Sequence, residues 1–414
     1  MQVFLFATWN SHSEPQYIGT LVEEANNSCA YAFEYCKSWL SEKNTSAPSQ
    51  ADRFFQRPMI DGADLSLYFD TLPDEWGQSL LNRYEKTKAE LECRQPRTLR
   101  PLHYLQLVLD IHRPGAIRIK PDRNGPFVSQ SIGAFQIGFL PALYESSIEL
   151  ETSCAADNPE YARHLCMVVS AGASLGGKRP KVSVLDRKNQ LWIAKLPGAS
   201  DQCDVGGWEM VLHELARRAG LKVPDAKAVK VSDGHHIFLS KRFDRDSHGN
   251  RIHYASTKCL LGFTASKNLN GEKSNASYLD VGELIIRNCN NPKNNLKELW
   301  RRIVFNICVK NTDDHLKNQG FLWTEKGWIL SPAFGMNANP SGCNLNLNIS
   351  AKDNCLDLGL AMEAAGDFSL SKKEAMKVLK TVRCTVAKWQ NIADSLGISK
   401  AEQATMAPAF TTNS

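Results

Sequence analysis

No stretch of about 18 consecutive apolar residues occurs in the 414-residue chain, which excludes a membrane-spanning helix on the usual length argument. The opening Met1-Gln-Val-Phe-Leu-Phe-Ala-Thr-Trp-Asn10 has no basic segment and no small-residue cleavage site, so it does not read as a secretion signal. None of the 12 cysteines stands in C-x-x-C spacing, which argues against a structural zinc site. Buried, reduced thiols in a cytoplasmic protein are the expectation, with Cys166 and Cys308 set among apolar neighbours. Glycine (26) and proline (18) are too few for collagen-like or low-complexity chains. Charge of one sign is also scarce: the net charge of +5 permits an anionic partner without demanding nucleic acid.

What is present is enough apolar residue, 43%, for more than one core. Residues 1–125 mix short strands (Val3–Thr8, Tyr17–Leu21) with helices broken or opened at Pro73 and Pro101. Residues 40–58 read as a polar surface loop. From Leu165 the expected order is strand, glycine loop, strand, turn, strand, helix, strand: Leu165–Val169, Pro180–Leu185, Leu191–Leu196, Trp208–Ala219 and Ile237–Leu239. Beyond about residue 247 the chain turns helical. Ser277 caps one helix, Leu296–Val309 is amphipathic, and capping boxes at Ser371 and Ser399 open two more, the first running towards Ser395.

Three constellations carry chemistry. Gly172-Ala-Ser-Leu-Gly-Gly-Lys178 resembles a P-loop, yet Arg179 stands where magnesium needs a Ser or Thr, and a strand follows where a helix is required. A small-molecule P-loop kinase is therefore disfavoured. A glycine loop between strands suits the phosphate cover of a protein kinase, against the plain alternative of an ordinary hairpin. Lys195 ends the next strand, where kinases place a phosphate-binding lysine, and Glu209 follows at the start of a helix as its candidate partner. Asn311-Thr-Asp-Asp-His-Leu-Lys-Asn318 puts Asp313 and Asn318 in the D-x-x-x-x-N spacing of a catalytic loop, with Lys317 able to neutralise a phosphoryl group. A second metal-binding aspartate should follow about twenty residues on. The segment Leu330-Ser-Pro-Ala-Phe-Gly-Met-Asn-Ala-Asn-Pro340 contains no acid.

These residues resemble the HipA family of serine/threonine kinases, toxins of bacterial toxin–antitoxin pairs. Further similar stretches are Trp192-Ile-Ala-Lys195, Arg242-Phe-Asp-Arg245, Ser277-Tyr-Leu-Asp-Val-Gly-Glu283 and Phe69-Asp-Thr-Leu-Pro-Asp74. The resemblance implies an α+β, two-lobed protein-kinase-like fold with a β-rich N-lobe, a helical C-lobe and an additional N-terminal α/β subdomain. The expected boundaries are 1–125, 126–246 and 247–414. It implies that Gly172, Ser174, Gly176, Gly177, Lys195, Glu209, Lys241, Phe243, Asp244 and His315 serve ATP, with the backbone from Lys241 to Phe243 as the adenine hinge. Asp313 and Lys317 would be catalytic, and Asn318 would hold magnesium. Ser174 or Ser170 would be autophosphorylated. The implied partners are a HipB-like helix-turn-helix antitoxin, DNA only through that antitoxin, and a cytoplasmic protein substrate of translation. Gly335 departs from the family, which has aspartate there. Two accounts fit: a natural pseudokinase that binds nucleotide or antitoxin without catalysis, or a substitution that silences a toxin.

Overall fold

The computed structural model describes residues 1–8, 14–23, 31–41, 70–128, 134–152, 160–231, 234–262 and 276–410. Most of the loop expected at 40–58, and Phe69, lie outside them. The chain divides into two compact units, Met1–Asp201 with Leu239–Tyr254, and Gln202–Phe238 with Ala255–Ser414.

The first unit opens with β1 (Gln2–Ala7), β2 (Gln16–Glu23), β3 (Tyr31–Tyr35) and β4 (Ile117–Lys120) in an antiparallel sheet of order β3-β2-β1-β4. Val3, Leu5 and Ala7 alternate on one face and are buried with Ile18, Leu21, Leu102, Leu105 and Ile119. Each large aliphatic side chain so buried contributes roughly 1.5–3 kcal/mol. A second core joins the helices Glu75–Leu91 and Tyr161–Gly172 through Leu80, Leu81, Leu165 and Val168. Leu165–Val169 is thus helical, not the expected strand. Its apolar run belongs to a longer set (Tyr161, Leu165, Val168, Val169, Gly172) with helical spacing, and a short apolar run alone does not distinguish the two. Cys166 consequently points outward and is exposed. The glycine loop therefore joins a helix to a strand.

That strand, β6 (Lys181–Leu185), pairs parallel with the short β5 (Phe135–Gln136) and antiparallel with β7 (Leu191–Lys195). Asn189, at φ 57, and Asp186, whose carboxylate accepts the Lys188 and Gln190 N–H groups, form the turn. Lys181 lies directly opposite Lys195.

In the second unit the helix Val205–Arg218 is capped by Asp204, and β8 (Ala226–Lys230) precedes β9 (His236–Lys241), which crosses the division. The helix Tyr278–Asn288 starts at a Ser277–Asp280 capping box, and Pro292–Cys308 follows with Trp300, Ile303, Val304 and Phe305 fully buried. Burial pushes the Cys289 and Cys308 thiols up to about 12. The hairpin β10 (Gly320–Thr324) and β11 (Gly327–Leu330) precedes a helical tail. The helix from Ser371 ends at Val386 and restarts at Trp389, short of the single run expected to Ser395. The break lets Trp389 stack on Phe410 at 4.5 Å between centroids. Ser399 caps Lys400–Met406, but Glu402 does not close the box: its carboxylate accepts Asp204 N–H and Trp208 Nε1–H at 2.7 Å. Among the described residues no helix is long and apolar enough to cross a membrane.

Candidate active site

Each unit carries one part of the constellation. In the first unit the glycine loop starts at the C-terminus of Tyr161–Gly172 and ends at β6. Gly177 adopts φ +92, a conformation costly for other residues, and its N–H donates to Asp74 Oδ2 at 2.7 Å. A Cβ on Gly176 would stand 2.9 Å from that same oxygen. The loop therefore already seats an anion, the Asp74 carboxylate, which is the chemistry a nucleotide phosphate needs. Trp76 N–H donates to Gly177 O at 3.3 Å, Glu75 lies 3.6 Å from Lys178, and Lys181 Nζ donates to Gly176 O. The antiparallel register puts Lys195 on the same face of the hairpin as Lys181. Ser174 is buried at 5% exposure, and Ser170 Oγ donates to Cys166 O at 2.6 Å within its helix.

Asp74→Ala should release this loop without touching its sequence. The expected result is at least about tenfold faster hydrogen exchange of the Gly177 amide, the equivalent of one lost charge-assisted bond. Unchanged exchange would show that the Asp74 contact does not hold the loop.

The Arg242-Phe-Asp-Arg245 motif alternates. Arg242 and Asp244 are buried, while Lys241 and Phe243 are partly exposed. Asp244 does not project towards a ligand. Its Oδ1 accepts Arg242 Nε–H at 2.8 Å, and its Oδ2 accepts Arg242 at 2.6 Å, Arg245 at 2.8 Å and Gly115 N–H at 2.7 Å. Burial raises its carboxyl, but Arg242 and Arg245 outweigh that and hold it well below the usual carboxylate range. The expected cofactor contact is therefore a structural ion pair, because both its oxygens already accept from guanidinium or amide N–H groups.

In the second unit the catalytic-loop candidate follows Pro292–Cys308 directly. Lys310 turns the chain at φ 44. His315 N–H donates to Asp313 O at 2.9 Å, Asn318 N–H to His315 O at 2.8 Å, and Asn318 Nδ2 to Asp313 O at 2.8 Å. Lys317 N–H meets His315 Nδ1 at 3.2 Å. Asp313 is exposed and its neighbour Asp314 is buried. Asp314 ties the loop down: it accepts Tyr278 Oη–H at 2.6 Å, Asn306 Nδ2 at 2.7 Å and Gln319 Nε2 at 2.9 Å. Burial raises its carboxyl despite these bonds. Gln319 Oε1 in turn accepts from buried Arg302 at 3.1 Å. The motif spacing singled out Asp313 and missed Asp314 and its partners. The only sequence signal for them is polar residues (Asn306, Gln319) at positions where the surrounding pattern is apolar.

Gly335 and Asn318 come together. Gly335 sits at φ +67, and a Cβ there would lie 3.1 Å from Asn318 Oδ1. A side chain at 335 would thus face the Asn318 amide. As the sequence stands, the place offers a cation one uncharged oxygen. Among the described residues no group of three acidic, histidine or cysteine side chains could hold a metal. The residues fit a phosphate-bearing nucleotide at the glycine loop and do not fit magnesium at Asn318.

The chain has a kinase-like, two-lobed α+β fold. The HipA-like C-terminal domain family matches residues 173–390. The chain belongs to that family. The HipA chain of a Shewanella oneidensis MR-1 complex of HipA, HipB and operator DNA has a similar fold, with TM-score 0.66 and 15% identity over 98% of this chain and 95% of that one. The Sinorhizobium fredii protein named "Putative kinase Y4mE" is 26% identical over 148 residues, or 35% of this chain. The match spans about a third (33%) of that relative's length.

Proposed function

We propose that the chain is a HipA-like serine/threonine protein kinase scaffold that binds ATP through its glycine loop and Lys195, and whose phosphotransfer is silenced by glycine at 335. The observation that carries this reading is the Gly335–Asn318 contact, which puts the acid-free position against the candidate metal-binding amide. Glu209 would fix the Lys195 ammonium, His315 would flank the nucleotide, and the backbone of Lys241–Phe243 would pair with adenine. Asp313 would orient a protein hydroxyl, and Lys317 would neutralise the phosphoryl oxygens. Ser174 or Ser170 would be the autophosphorylation site. Because Ser174 is buried, modification there requires the loop to leave its seat on Asp74.

The Shewanella neighbour, solved with HipB and operator DNA, supports a HipB-like helix-turn-helix antitoxin as partner, with DNA reached through it. The substrate would be a cytoplasmic protein of translation. A second reading, a pseudokinase that works by binding ATP or antitoxin, rests on the same glycine.

Equilibrium binding of ATP tests the shared part. The chain as written should bind ATP, and Lys195→Met should weaken binding about tenfold or more, as expected for loss of a charge-assisted phosphate contact. Equal binding by both would remove Lys195 from the site, and no binding by either would overturn the reading.

A further inference from the structure

A cavity of about 240 Å³ opens within the first unit, with no glycine-loop residue in its lining. Its lining includes Lys241, Arg242, Arg245 and Arg251, with Asp110 and Asp246 as the acids. Asp246 is spent on its own turn: it accepts the His248 and Asn250 N–H groups and Asn250 Nδ2, each at 2.8 Å. Asp110 is shared by Arg118 at 2.6 Å and Arg251 at 3.2 Å. Asp244 is shared by Arg242 and Arg245.

Behind the cavity wall the charges do not balance. With Lys241 and Asp246 of the lining counted, Lys241, Arg113, Arg118, Arg242, Arg245 and Arg251 face Asp110, Asp244 and Asp246, six cations to three anions. Other guanidinium N–H groups of Arg242, Arg245 and Arg251 point at neutral acceptors, the carbonyls of Asp110, Ile111, His112, Arg113 and Gly115. Carbonyls satisfy hydrogen bonds but do not cancel charge, and uncompensated buried charge is costly. Burial pushes Arg245 down to about 9 and Arg113 and Arg251 to about 10, so all three stay charged at neutral pH at the expense of stability. The buried Nε–H and Nη1 groups of Arg113 meet no acceptor among the described residues.

We infer that this cavity binds the phosphate group of a small molecule, with Arg245, Arg251 and Lys241 facing the anion. An anion there would cancel the local excess of charge. The cavity is larger than a phosphate ion, and Leu185 and Leu191 give part of its lining an apolar surface for the rest of a phosphomonoester. This site borders the proposed adenine hinge at Lys241 and Arg242 but includes neither the glycine loop nor Lys195.

Removing an arginine would also remove a fold contact, so the test adds charge instead. Gln190 lines the cavity, and Gln190→Glu places a carboxylate there with no change in side-chain size. Thermal unfolding and calorimetric titration of the full chain would use inorganic phosphate and glycerol phosphate, with sodium chloride at matched ionic strength. Both phosphates should raise Tm beyond chloride, and the tighter of the two identifies the source as a free ion or an ester. Gln190→Glu should raise Tm in chloride and weaken phosphate binding about tenfold, the scale of one added charge at short range. Lys195→Met should keep the phosphate response. An equal response to chloride, a full response in Gln190→Glu, or a response lost in Lys195→Met would each overturn the assignment.

Discussion

Gly335→Asp should raise phosphate transfer from ATP by about 10²–10³-fold, the scale of one preorganised electrostatic contact in a transition state. The backbone at 335 is already left-handed at φ +67, where aspartate is among the best tolerated of residues other than glycine. The new Cβ meets Asn318 Oδ1 at 3.1 Å, a contact that a shift of a few tenths of an ångström relieves. The carboxylate would then stand beside the Asn318 amide and give a magnesium ion charged and uncharged oxygen donors at one place. The measurement is mass spectrometry of the purified chain after incubation with Mg-ATP, scored for phosphate on Ser170 and Ser174. Gain of phosphate only in Gly335→Asp marks a kinase disabled at one position and otherwise intact. Adding Asp313→Asn to that variant should abolish the gain. Equal phosphorylation of the chain as written would overturn the role given to position 335. Persistent silence in Gly335→Asp, with ATP still bound, would favour the pseudokinase.

The parts of this site that sequence makes legible are those fixed by local geometry. The turn Asn311–Asn318, the cap at Ser277 and the capping box at Ser371 depend on spacings of a few residues, and the structure forms each of them, whereas the box expected at Ser399 stays open because Glu402 turns to Asp204 and Trp208. The hairpin carrying Lys195 is legible because its turn residues, Asp186 and Asn189, stand between two alternating runs. Leu165–Val169 misleads because a four-residue apolar step fits either period; the deciding neighbours, Tyr161 and Gly172, lie outside the run. Asp74 and Asp314 were invisible for another reason. Each acts on a partner far along the chain, Gly177 in one case and Tyr278 in the other, and no periodicity records such a pairing. Asp244 shows the converse error. The resemblance implies a cofactor role for Asp244, whereas in the structure Asp244 lies past the end of β9, buried and bonded to Arg242.

That burial sets the largest stability effect expected in the first unit. Asp244→Ala should destabilise it by about 3–5 kcal/mol, because Arg242 and Arg245 would keep their buried charges and lose the acid they share. For a unit of this size the shift in Tm is roughly 6–20 °C. Asp244→Asn should recover little of this, since a neutral amide keeps the volume and loses the charge. The pair Asp244→Ala with Arg242→Met should cost less than the sum of the two single changes, because removing both partners leaves fewer charges unmatched. The pH dependence follows in sign. Asp244 has a folded-state pKa below its unfolded value, so its contribution is complete above the unfolded pKa near 4 and disappears as pH falls towards the depressed folded value. Thermal unfolding between pH 7 and pH 3 should therefore show the native chain losing stability faster than Asp244→Ala only below about pH 4, the gap between the two curves narrowing without closing by pH 3. Parallel curves would mean that the Asp244 carboxylate is not ionised against Arg242 in the folded chain. The excess cations around it would then have even less compensation from within the protein.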